Sequence, residues 1–308
     1  MSSPEPTWSA LRQRLLADGV LAELGEPGMF ALGSRFTAVF EALDALYVRT
    51  FANLDAEVWR FPPVEPKSVF EKTDYVASFP QLTGSLSVFT GGTAEHAELL
   101  KTRASGEDWE GHLEPAGLMM SPAACHPLYA ILTGTLPAGG RRFDILGSCF
   151  RHEPSPDPMR MQTFRMHEFV HAGNADSAME HRDETAPRLA AMLDSLGLEV
   201  DYVPANDPFF GRTGRIMAAS QREAALKYEI VTHVYGPDVA PTAIGSANYH
   251  NDHFGTAFGI FDADGDVAHT ACLGLGMERT VIALFARHGM DPELWPADVR
   301  AVLWAVHG

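Results

Sequence analysis

The sequence predicts an α+β fold in which a β-sheet is flanked by helices. Apolar residues recur at helical spacing over residues 36–51, which indicates a long amphipathic helix. Two strand-like runs enclose a proline-rich loop within residues 143–169. Further along, a strand-like run with glycine at alternate positions, residues 272–276, leads into an apolar helical stretch at residues 280–286. Both kinds of element are therefore expected, with helices before and after the strands.

The first helix is predicted from large apolar residues that recur every three or four positions, with Ser34 available near its N-cap. These residues are Phe36, Val39, Phe40, Leu43, Leu46, Tyr47 and Phe51. The run EVWRFPPV follows, a short strand-like stretch that ends at Pro62 and Pro63. The pattern alone favours a core helix and a turn.

The proline-rich loop, PSPDP at Pro154–Pro158, separates two predicted strands. Proline cannot donate to a sheet ladder, so this loop fixes where the strands part. Because side chains alternate along a strand, we expect two sets to share a face. These sets are Arg151 with Glu153 on the first strand, and Arg160, Phe164 and Glu168 on the second.

These residue types suit a bound nucleotide. Arg151 can place two donors on an α-phosphate and stabilise the charge that grows there during displacement. Glu153 can accept a hydrogen bond from the adenine amine, and Phe164 offers adenine a flat face. Arg279 can cover the other face or reach the γ-phosphate, and Arg160 is placed for the outer phosphates. For each residue alone, a surface ion pair or packing role is the alternative.

The segment HEFVH at His167–His171 matches the HExxH pattern, in which two histidines on one helix face bind zinc in metalloproteases. Its apolar residues alternate with period two instead, and Thr, Phe and Val favour strands. On a strand, Glu168 faces away from both histidines. We therefore interpret the segment as a strand with ordinary polar groups, with a metalloprotease as the alternative.

Composition sets the broad class. The chain has 308 residues, 46% of them hydrophobic, enough for one large core or two modest lobes. No apolar run reaches the roughly 18 to 20 residues of a membrane span and no secretory signal opens the chain, so a cytoplasmic protein is expected. A formal charge of −17 argues against nucleic acid as the natural partner. The cysteines, Cys125, Cys149 and Cys272, are too sparse for a disulfide framework, so each is expected to be a metal ligand or a buried thiol.

Three motifs, FRHE at Phe150–Glu153, RMQTF at Arg160–Phe164 and GLGMER at Gly274–Arg279, together resemble the nucleotide-binding signatures of class II aminoacyl-tRNA synthetases. The resemblance implies a mostly antiparallel sheet flanked by helices. It also implies that the helix at residues 36–51 and the strand after it lie at a homodimer interface.

From about residue 10 to its end, the chain resembles the amino acid:[carrier protein] ligases, truncated relatives of the seryl-tRNA synthetases of methanogens. This resemblance rests on further blocks: SFPQLTGSL at 78–86, SPAACHPLY at 121–129, NDPFFGR at 206–212 and CLGLGMERT at 272–280. It implies one class II synthetase-like catalytic domain over residues 1–308, without a tRNA-binding domain.

In that family two cysteines and a glutamate hold a catalytic Zn²⁺, and the set falls on Cys125, Glu168 and Cys272 here. Three protein ligands leave one position open, which the α-amino group of a substrate can occupy. The spacing alone would not identify this site. Cys149 has no counterpart role and is interpreted as a buried thiol.

The resemblance also implies ATP contacts along Ala243–Ser246 and at Lys227, for which a solvated helix residue is the alternative. Seryl enzymes usually carry a glutamate where this chain has Ala243, which weakens any side-chain role there. The catalytic residues implied are Arg151, Arg279 and Glu168. The nucleotide-binding set is Arg151, Glu153, Arg160, Met161, Phe164, Lys227, Ala243, Ile244, Gly245, Ser246 and Arg279.

The function implied is activation of glycine or alanine with ATP and Mg²⁺ to aminoacyl-AMP, then transfer to the phosphopantetheine thiol of a carrier protein. Carrier proteins are acidic, so docking is expected on the basic segment 212–227, at Arg212, Arg215 and Arg222. An ordinary amphipathic helix is the alternative for that segment. The alternatives for the function are a minimal aminoacyl-tRNA synthetase, an adenylate-forming ligase with another acceptor, and a catalytically silent regulatory paralogue.

Overall fold

The computed structural model describes residues 7–205 and 226–305. The NDPFFGR block and the predicted docking residues Arg212, Arg215 and Arg222 lie outside the described residues. In the described part of the chain, no helix combines the length and the apolar character needed to cross a membrane.

Helices and strands alternate irregularly along the described chain. The helices are α1 Ser9–Ala17, α2 Ser34–Thr50, α3 Lys67–Phe70, α4 Tyr75–Ser78, α5 Thr93–Ser105, α6 His126–Tyr129, α7 Ala175–Ser195, α8 His253–Phe258, α9 Met277–His288 and α10 Ala297–Leu303. The strands are β1 Leu21–Glu23, β2 Phe30–Leu32, β3 Glu57–Trp59, β4 Val64–Pro66, β5 Ser85–Val88, β6 Glu114–Met120, β7 Gly134–Thr135, β8 Arg141–Phe150, β9 Thr163–Gly173, β10 Val200–Pro204, β11 Lys227–Thr232, β12 Thr242–Tyr249, β13 Ile260–Phe261 and β14 His269–Gly276.

The described residues form a central seven-stranded sheet of order β10-β11-β12-β14-β9-β8-β3. The strands pair antiparallel from β10 to β8, and β3 joins the edge parallel to β8. Strands within residues 64–120 form a separate three-stranded sheet of order β4-β6-β5. The predicted α+β fold with a mostly antiparallel sheet is therefore confirmed.

Successive side chains of the central strands point to opposite sides of the sheet. One side, here called the helix face, is covered by α2, α7 and α9 and carries the larger hydrophobic core, which includes Phe169 and Leu273. The other side, here called the cavity face, carries a second core around Leu128 and Tyr129. The polar residues discussed below are divided between these two faces.

The predicted helix at residues 36–51 is confirmed as α2. Its apolar stripe, which begins at Phe36 and includes Tyr47, is buried against the sheet. Gly33, in an extended conformation, takes the N-cap position, and Ser34 is the first residue of the helix. The short strand predicted after this helix is confirmed as β3.

The ladder between β8 and β9 stops earlier than predicted. Residues 151–162 form a loop, and Arg151, Glu153 and Arg160 belong to it rather than to the strands. The expectation that these three side chains occupy strand faces is therefore wrong. The prolines of PSPDP supply no amide hydrogens, so they end the ladder and free the flanking arginines from strand alternation.

Helix α5 contributes no buried residue to the cores of the described part of the chain, because none of its 13 residues is buried. Its ends are nevertheless well formed, because the Gly92 amide donates to Glu95 Oε2 at 2.9 Å and Gly106 ends the helix with φ of 78°.

Candidate active site

A cavity of about 760 Å³ opens on the cavity face of the central sheet. Its lining comes from strands β9, β11, β12 and β14, from the loop 151–162, and from residues 73–79 and 248–254. This volume lies in the range of ligand pockets for small molecules and cofactors. It is large enough for a nucleotide together with a small second substrate.

The cavity collects residues that are far apart in the sequence. Of the predicted site residues in the described part of the chain, all except Arg160 line it. They are Cys125, Arg151, Glu153, Met161, Phe164, Glu168, Lys227, Ala243, Ile244, Gly245, Ser246, Cys272 and Arg279.

Arg151 lies at the start of the loop 151–162. Its Nε donates to the carbonyl of Pro122 at 3.1 Å, and its guanidinium lies over the ring of Phe164, 5.4 Å from the centroid. Further along the loop, Glu153 and Arg160 face each other with oxygen and nitrogen 3.8 Å apart. Arg160 is thus at the rim, on the same loop as the two lining residues.

Arg279 occupies the first turn of α9, directly after the glycines of β14. Its Nε donates to Met159 O at 2.8 Å and its Nη1 donates to Ala243 O at 3.1 Å. Burial, and then the charges of Arg151 and Arg160, hold the pKa of Arg279 below its usual value. Three guanidinium groups therefore repel one another around one cavity, an arrangement that a polyphosphate would relieve.

Strands β11 and β12 supply the next part of the lining. Glu229 pairs directly with Ser246 across the two strands, so their side chains share the cavity face. Lys227 begins β11, which excludes the alternative of a solvated helix residue. Its Nζ lies 3.4 Å from Glu229 Oε1, so the positive charge of Lys227 is opposed by a carboxylate.

The predicted metal ligands are gathered at one place on the cavity face. Glu168 and Cys272 lie on the neighbouring strands β9 and β14, and Cys125 immediately precedes α6. All three side chains are buried. Glu168 Oε1 accepts a hydrogen bond from Ala124 N at 3.1 Å, whereas its Oε2 has no hydrogen-bond partner among the described residues.

The two thiols and the carboxylate are electrostatically linked. A hydrogen bond from Cys125 lowers the pKa of Cys272 well below its usual value and raises that of Cys125. Asn248 Nδ2 and His250 Nε2 also approach Cys272 Sγ, at 3.3 and 3.6 Å. Burial, and then Cys272, raise the pKa of Glu168 to about 7. The group is thus suited to binding a cation.

Two observations bear differently on a metal here. Across residues 7–205 and 226–305, no three His, Cys, Asp or Glu side chains are arranged as a metal site. The described residues nevertheless include the donor types that Zn²⁺ prefers, because two buried thiols, one with a lowered pKa, lie beside a carboxylate oxygen that has no hydrogen-bond partner there.

Several cavity residues were not predicted from the sequence. Asn248 and His250 contact Cys272, and His126 lines the cavity beside Cys125. Behind His126 lies the buried carboxylate of Glu65, 3.9 Å from His126 Nδ1. Burial raises the pKa of Glu65 to about 7. Only the position of His126 next to Cys125 offered any sequence signal.

The HEFVH segment lies within β9, as predicted, and not on a helix. Its histidines point to the helix face, where His167 contacts Asp44 and Asp144 and His171 contacts Ser177. Glu168 points to the opposite side. The HExxH zinc geometry of a metalloprotease is therefore absent from this segment, which the structure describes in full.

The antiparallel sheet, the arginine-bearing loop and the glycine strand that runs into Arg279 form a class II aminoacyl-tRNA synthetase-like fold. The crystal structure of the Methanopyrus kandleri seryl-tRNA synthetase, in complex with tRNASec of A. aeolicus, has the same fold. Its TM-score is 0.81 at 23% identity, covering 98% of this chain and 61% of that one.

No protein-family model matches the chain. Amino acid–[acyl-carrier-protein] ligase 2 of Bradyrhizobium diazoefficiens is 42% identical over 290 residues, which cover 94% of this chain and 86% of the relative. Ligase 1 of the same organism is 41% identical over 292 residues, covering 94% and 88%. The chain belongs to the amino acid–[acyl-carrier-protein] ligase family.

Proposed function

We propose that this chain activates a small amino acid with ATP and transfers it to the phosphopantetheine thiol of a carrier protein. This reaction makes it an AMP-forming ligase, in line with its membership of the amino acid–[acyl-carrier-protein] ligase family. The observation that carries the residue assignments is that one cavity joins a cluster of arginines to a buried pair of thiols with a carboxylate. The first cluster suits a polyphosphate, and the second suits a metal that receives an amine.

In the first step the amino-acid carboxylate attacks the α-phosphorus of ATP. A bond forms between a carboxylate oxygen and the α-phosphorus. The phosphoanhydride bond to the β-phosphate breaks, and pyrophosphate leaves with its electron pair. The carboxylate is ionised at neutral pH, so the step needs no general base. Arg151 and Arg279 stabilise the charge that develops on the phosphoryl oxygens. Mg²⁺ bound to the ATP would neutralise part of the charge on its phosphates.

The adenosine end of ATP is assigned to residues around β12 and the loop. Phe164 contacts the adenine ring, Glu153 accepts from the adenine amine, and Met161 packs beside them. The backbone of Ala243–Gly245 and the hydroxyl of Ser246 face the ribose and phosphates, with Lys227 as a further phosphate contact. Arg160, at the rim, contacts the outer phosphates.

We assign the amino-acid amine to the group formed by Cys125, Glu168 and Cys272. These three side chains would hold Zn²⁺ and leave one position open. When bound, the metal supplies a Lewis-acid site for the neutral amine, which distinguishes amino acids from hydroxy acids. Asn248 and His250, which contact Cys272, would orient that ligand from behind.

In the second step the carrier thiol, having lost its proton, attacks the carbonyl carbon of the aminoacyl-AMP. The thioester forms and AMP leaves. Five further points stay predictions. They are glycine or alanine as the substrate, the carrier docking near Arg212, Arg215 and Arg222, the homodimer, the single catalytic domain over residues 1–308 and the cytoplasmic location. Each follows from the sequence alone, either from its composition or from the resemblance.

ATP–pyrophosphate exchange over a panel of amino acids tests the first step. Glycine or alanine should support exchange, and serine and the hydroxy acid glycolate should not. Absence of exchange with every amino acid would contradict the proposal and favour a silent paralogue.

Mass measurement of a holo carrier protein tests the second step, and the same reaction with its apo form is the control. Aminoacylation should add one amino-acid mass to the holo form only. A parallel acid-precipitation assay with tRNA separates the alternatives. Labelled tRNA without a loaded carrier would favour a minimal synthetase.

A further inference from the structure

The loop 151–162 carries four residues assigned to ATP, Arg151, Glu153, Arg160 and Met161, and it lies outside the strands of the sheet. Its base is closed by Arg151 N, which donates to Gln162 O at 2.9 Å. Gln162 in turn donates to the carbonyls of Pro27 and Gly28, at 2.8 and 3.0 Å. These bonds hold the base of the loop but not its tip, where Arg160 lies.

The tip is a turn organised by Asp157. The Asp157 carbonyl accepts from Arg160 N at 2.9 Å, and its carboxylate Oδ1 accepts from Met159 N at 2.9 Å. Its own amide donates to Ser155 Oγ at 3.2 Å. Because Arg160 is bonded to the backbone of Asp157, a displacement of Asp157 would move Arg160 as well.

A distant segment reaches this turn. Tyr235, in the connection between β11 and β12, donates its hydroxyl hydrogen to Asp157 Oδ1 across 78 positions of sequence. Its ring packs against the larger core, so the hydroxyl is presented from a fixed support. Burial, and then the bond to Asp157, raise the pKa of Tyr235, and the hydroxyl therefore stays a donor at any working pH.

The contact lies next to the assigned phosphate site. Arg279 holds the same turn at Met159 O and reaches β12 at Ala243 O. Both Arg160 and Arg279 are close enough to Tyr235 to act on it electrostatically. The bond from Tyr235 to Asp157 thus ties the tip of the ATP loop to the β11–β12 connection, whose two strands line the cavity.

We propose that Tyr235 and Asp157 are positioning residues that hold the tip of the loop 151–162 so that Arg160 can contact the outer phosphates of ATP. The inference rests on the proposed function, because it takes the ATP assignment of the loop as given. It adds two residues that neither touch the substrate nor line the cavity. They act on ATP binding through Arg160.

Tyr235→Phe tests the role with little disturbance of packing, since the ring remains and only the donated hydrogen is lost. We expect the KM for ATP in pyrophosphate exchange to rise roughly tenfold, because a hydrogen bond to a charged acceptor is removed. The kcat at saturating ATP and the KM for the amino acid should stay within about twofold. A general structural defect would instead lower kcat and the thermal midpoint.

Two further variants provide the controls. Tyr202→Phe is matched in chemistry but lies on β10, where Tyr202 is 40% exposed and stacks on Tyr228, so its KM values should equal those of the wild type. Asp157→Asn keeps an acceptor for Met159 N but weakens the bond to Tyr235. If the two residues act as one contact, the double variant Tyr235→Phe with Asp157→Asn should be no worse than the worse single variant.

Calorimetric titration with a non-hydrolysable ATP analogue separates the two levels of the argument. A wild-type protein that neither binds the analogue nor exchanges pyrophosphate would overturn both this inference and the proposed function. A wild-type protein that does both, with a Tyr235→Phe variant of unchanged ATP affinity and KM, would overturn this inference alone. Additive effects of the two substitutions, or an equal rise in both KM values, would also overturn it.

Discussion

His167 and Glu168 are neighbours on β9 and both are buried, but their surroundings are opposite. His167, on the helix face, is bonded at Nδ1 to Asp44 at 2.7 Å and at Nε2 to Asp144 at 2.9 Å. Glu168, on the cavity face, has one oxygen bonded to Ala124 N and the other without a partner among the described residues. Two adjacent residues thus differ in hydrogen bonding: both polar atoms of His167 have partners, whereas one oxygen of Glu168 has none among the described residues.

This difference indicates that the two faces of the sheet have different roles, one structural and one in ligand binding. Burying a polar atom without a partner costs stability, so native chains usually satisfy such atoms. On the helix face His167 follows this rule, because the Asp–His–Asp contact joins α2 to β8 and β9 and occupies both ring nitrogens. On the same face, the Nδ1 atoms of His171 and His181 have no partner among the described residues. The cavity face departs from it at Glu168, where a ligand would supply the missing partner. Substitutions on the two faces should therefore have different readouts.

The largest effect is expected on the cavity face. Cys125→Ala removes one of the proposed Zn²⁺ ligands, so the purified protein should lose its zinc and its exchange rate should fall on the order of a thousandfold. Elemental analysis and pyrophosphate exchange measure the two losses. Cys149→Ala, at a buried thiol outside the cavity lining, is the matched control and should keep both. An active, zinc-free Cys125→Ala protein would refute the metal site.

The next effect belongs to the helix face. Asp144→Ala removes one of the two carboxylates bonded to His167 and also the carboxylate partner of Arg60, whose Nη1 lies 3.0 Å from Asp144 Oδ1. Breaking such a buried pair should lower the free energy of unfolding by about 3 kcal/mol. Urea unfolding followed by circular dichroism measures it. Asp183→Ala, at an exposed partner of Arg182, should change stability little. Full stability in Asp144→Ala would show that the contact is dispensable.

A smaller loss of activity is expected from Arg151→Ala. Removing the proposed donor to the α-phosphate should lower kcat/KM for ATP about a hundredfold and leave zinc content unchanged. Arg151→Lys should recover only part of the loss, since an ammonium cannot donate in a fork. Equal rates for the alanine and lysine variants would indicate that charge placement at this position is unimportant.

The smallest effect concerns pH and again lies on the helix face. Burial is the main cause that lowers the pKa of His171 to about 3 and that of His181 to about 4. Both are neutral in the folded and unfolded chain at high pH. Below the unfolded value of about 6.5, the unfolded chain binds protons that the folded chain cannot, so stability falls by about 2 kcal/mol per histidine near pH 5.

His167 contributes in the opposite direction. Burial opposes its charged form, but the bonds to Asp144 and Asp44 outweigh burial and raise its pKa. Its contribution to stability is complete below about pH 6.5 and is lost as the pH rises through the raised pKa.

Thermal melts at pH 7 and pH 5 test the contribution of His181. The melting temperature of His181→Gln should drop less between these two pH values than that of the wild type. His96→Gln, on the exposed helix α5, should match the wild type, and a steeper drop in His181→Gln would contradict the assignment.

The sequence predicted the elements better than their ends. Helix α2, the strand character of HEFVH and the approach of Cys125, Glu168 and Cys272 could be inferred, because periodicity and motif order are local or inherited properties. The placement of Arg151 and Arg160 was missed, since alternation was extended past the point where prolines end the ladder. Tyr235 and Glu65 could not be found, because their contacts with Asp157 and His126 depend on folding between distant segments.

Helix α5 has capped ends and no buried residue, and this changes how its amides respond to solvent. Because no residue of this helix is buried, its amides should exchange through local opening. The amides in the middle of β9, bonded to strands on both sides, should wait for the whole domain to unfold. A single hydrogen-exchange experiment should therefore show fast exchange in α5 and slow exchange in the middle of β9.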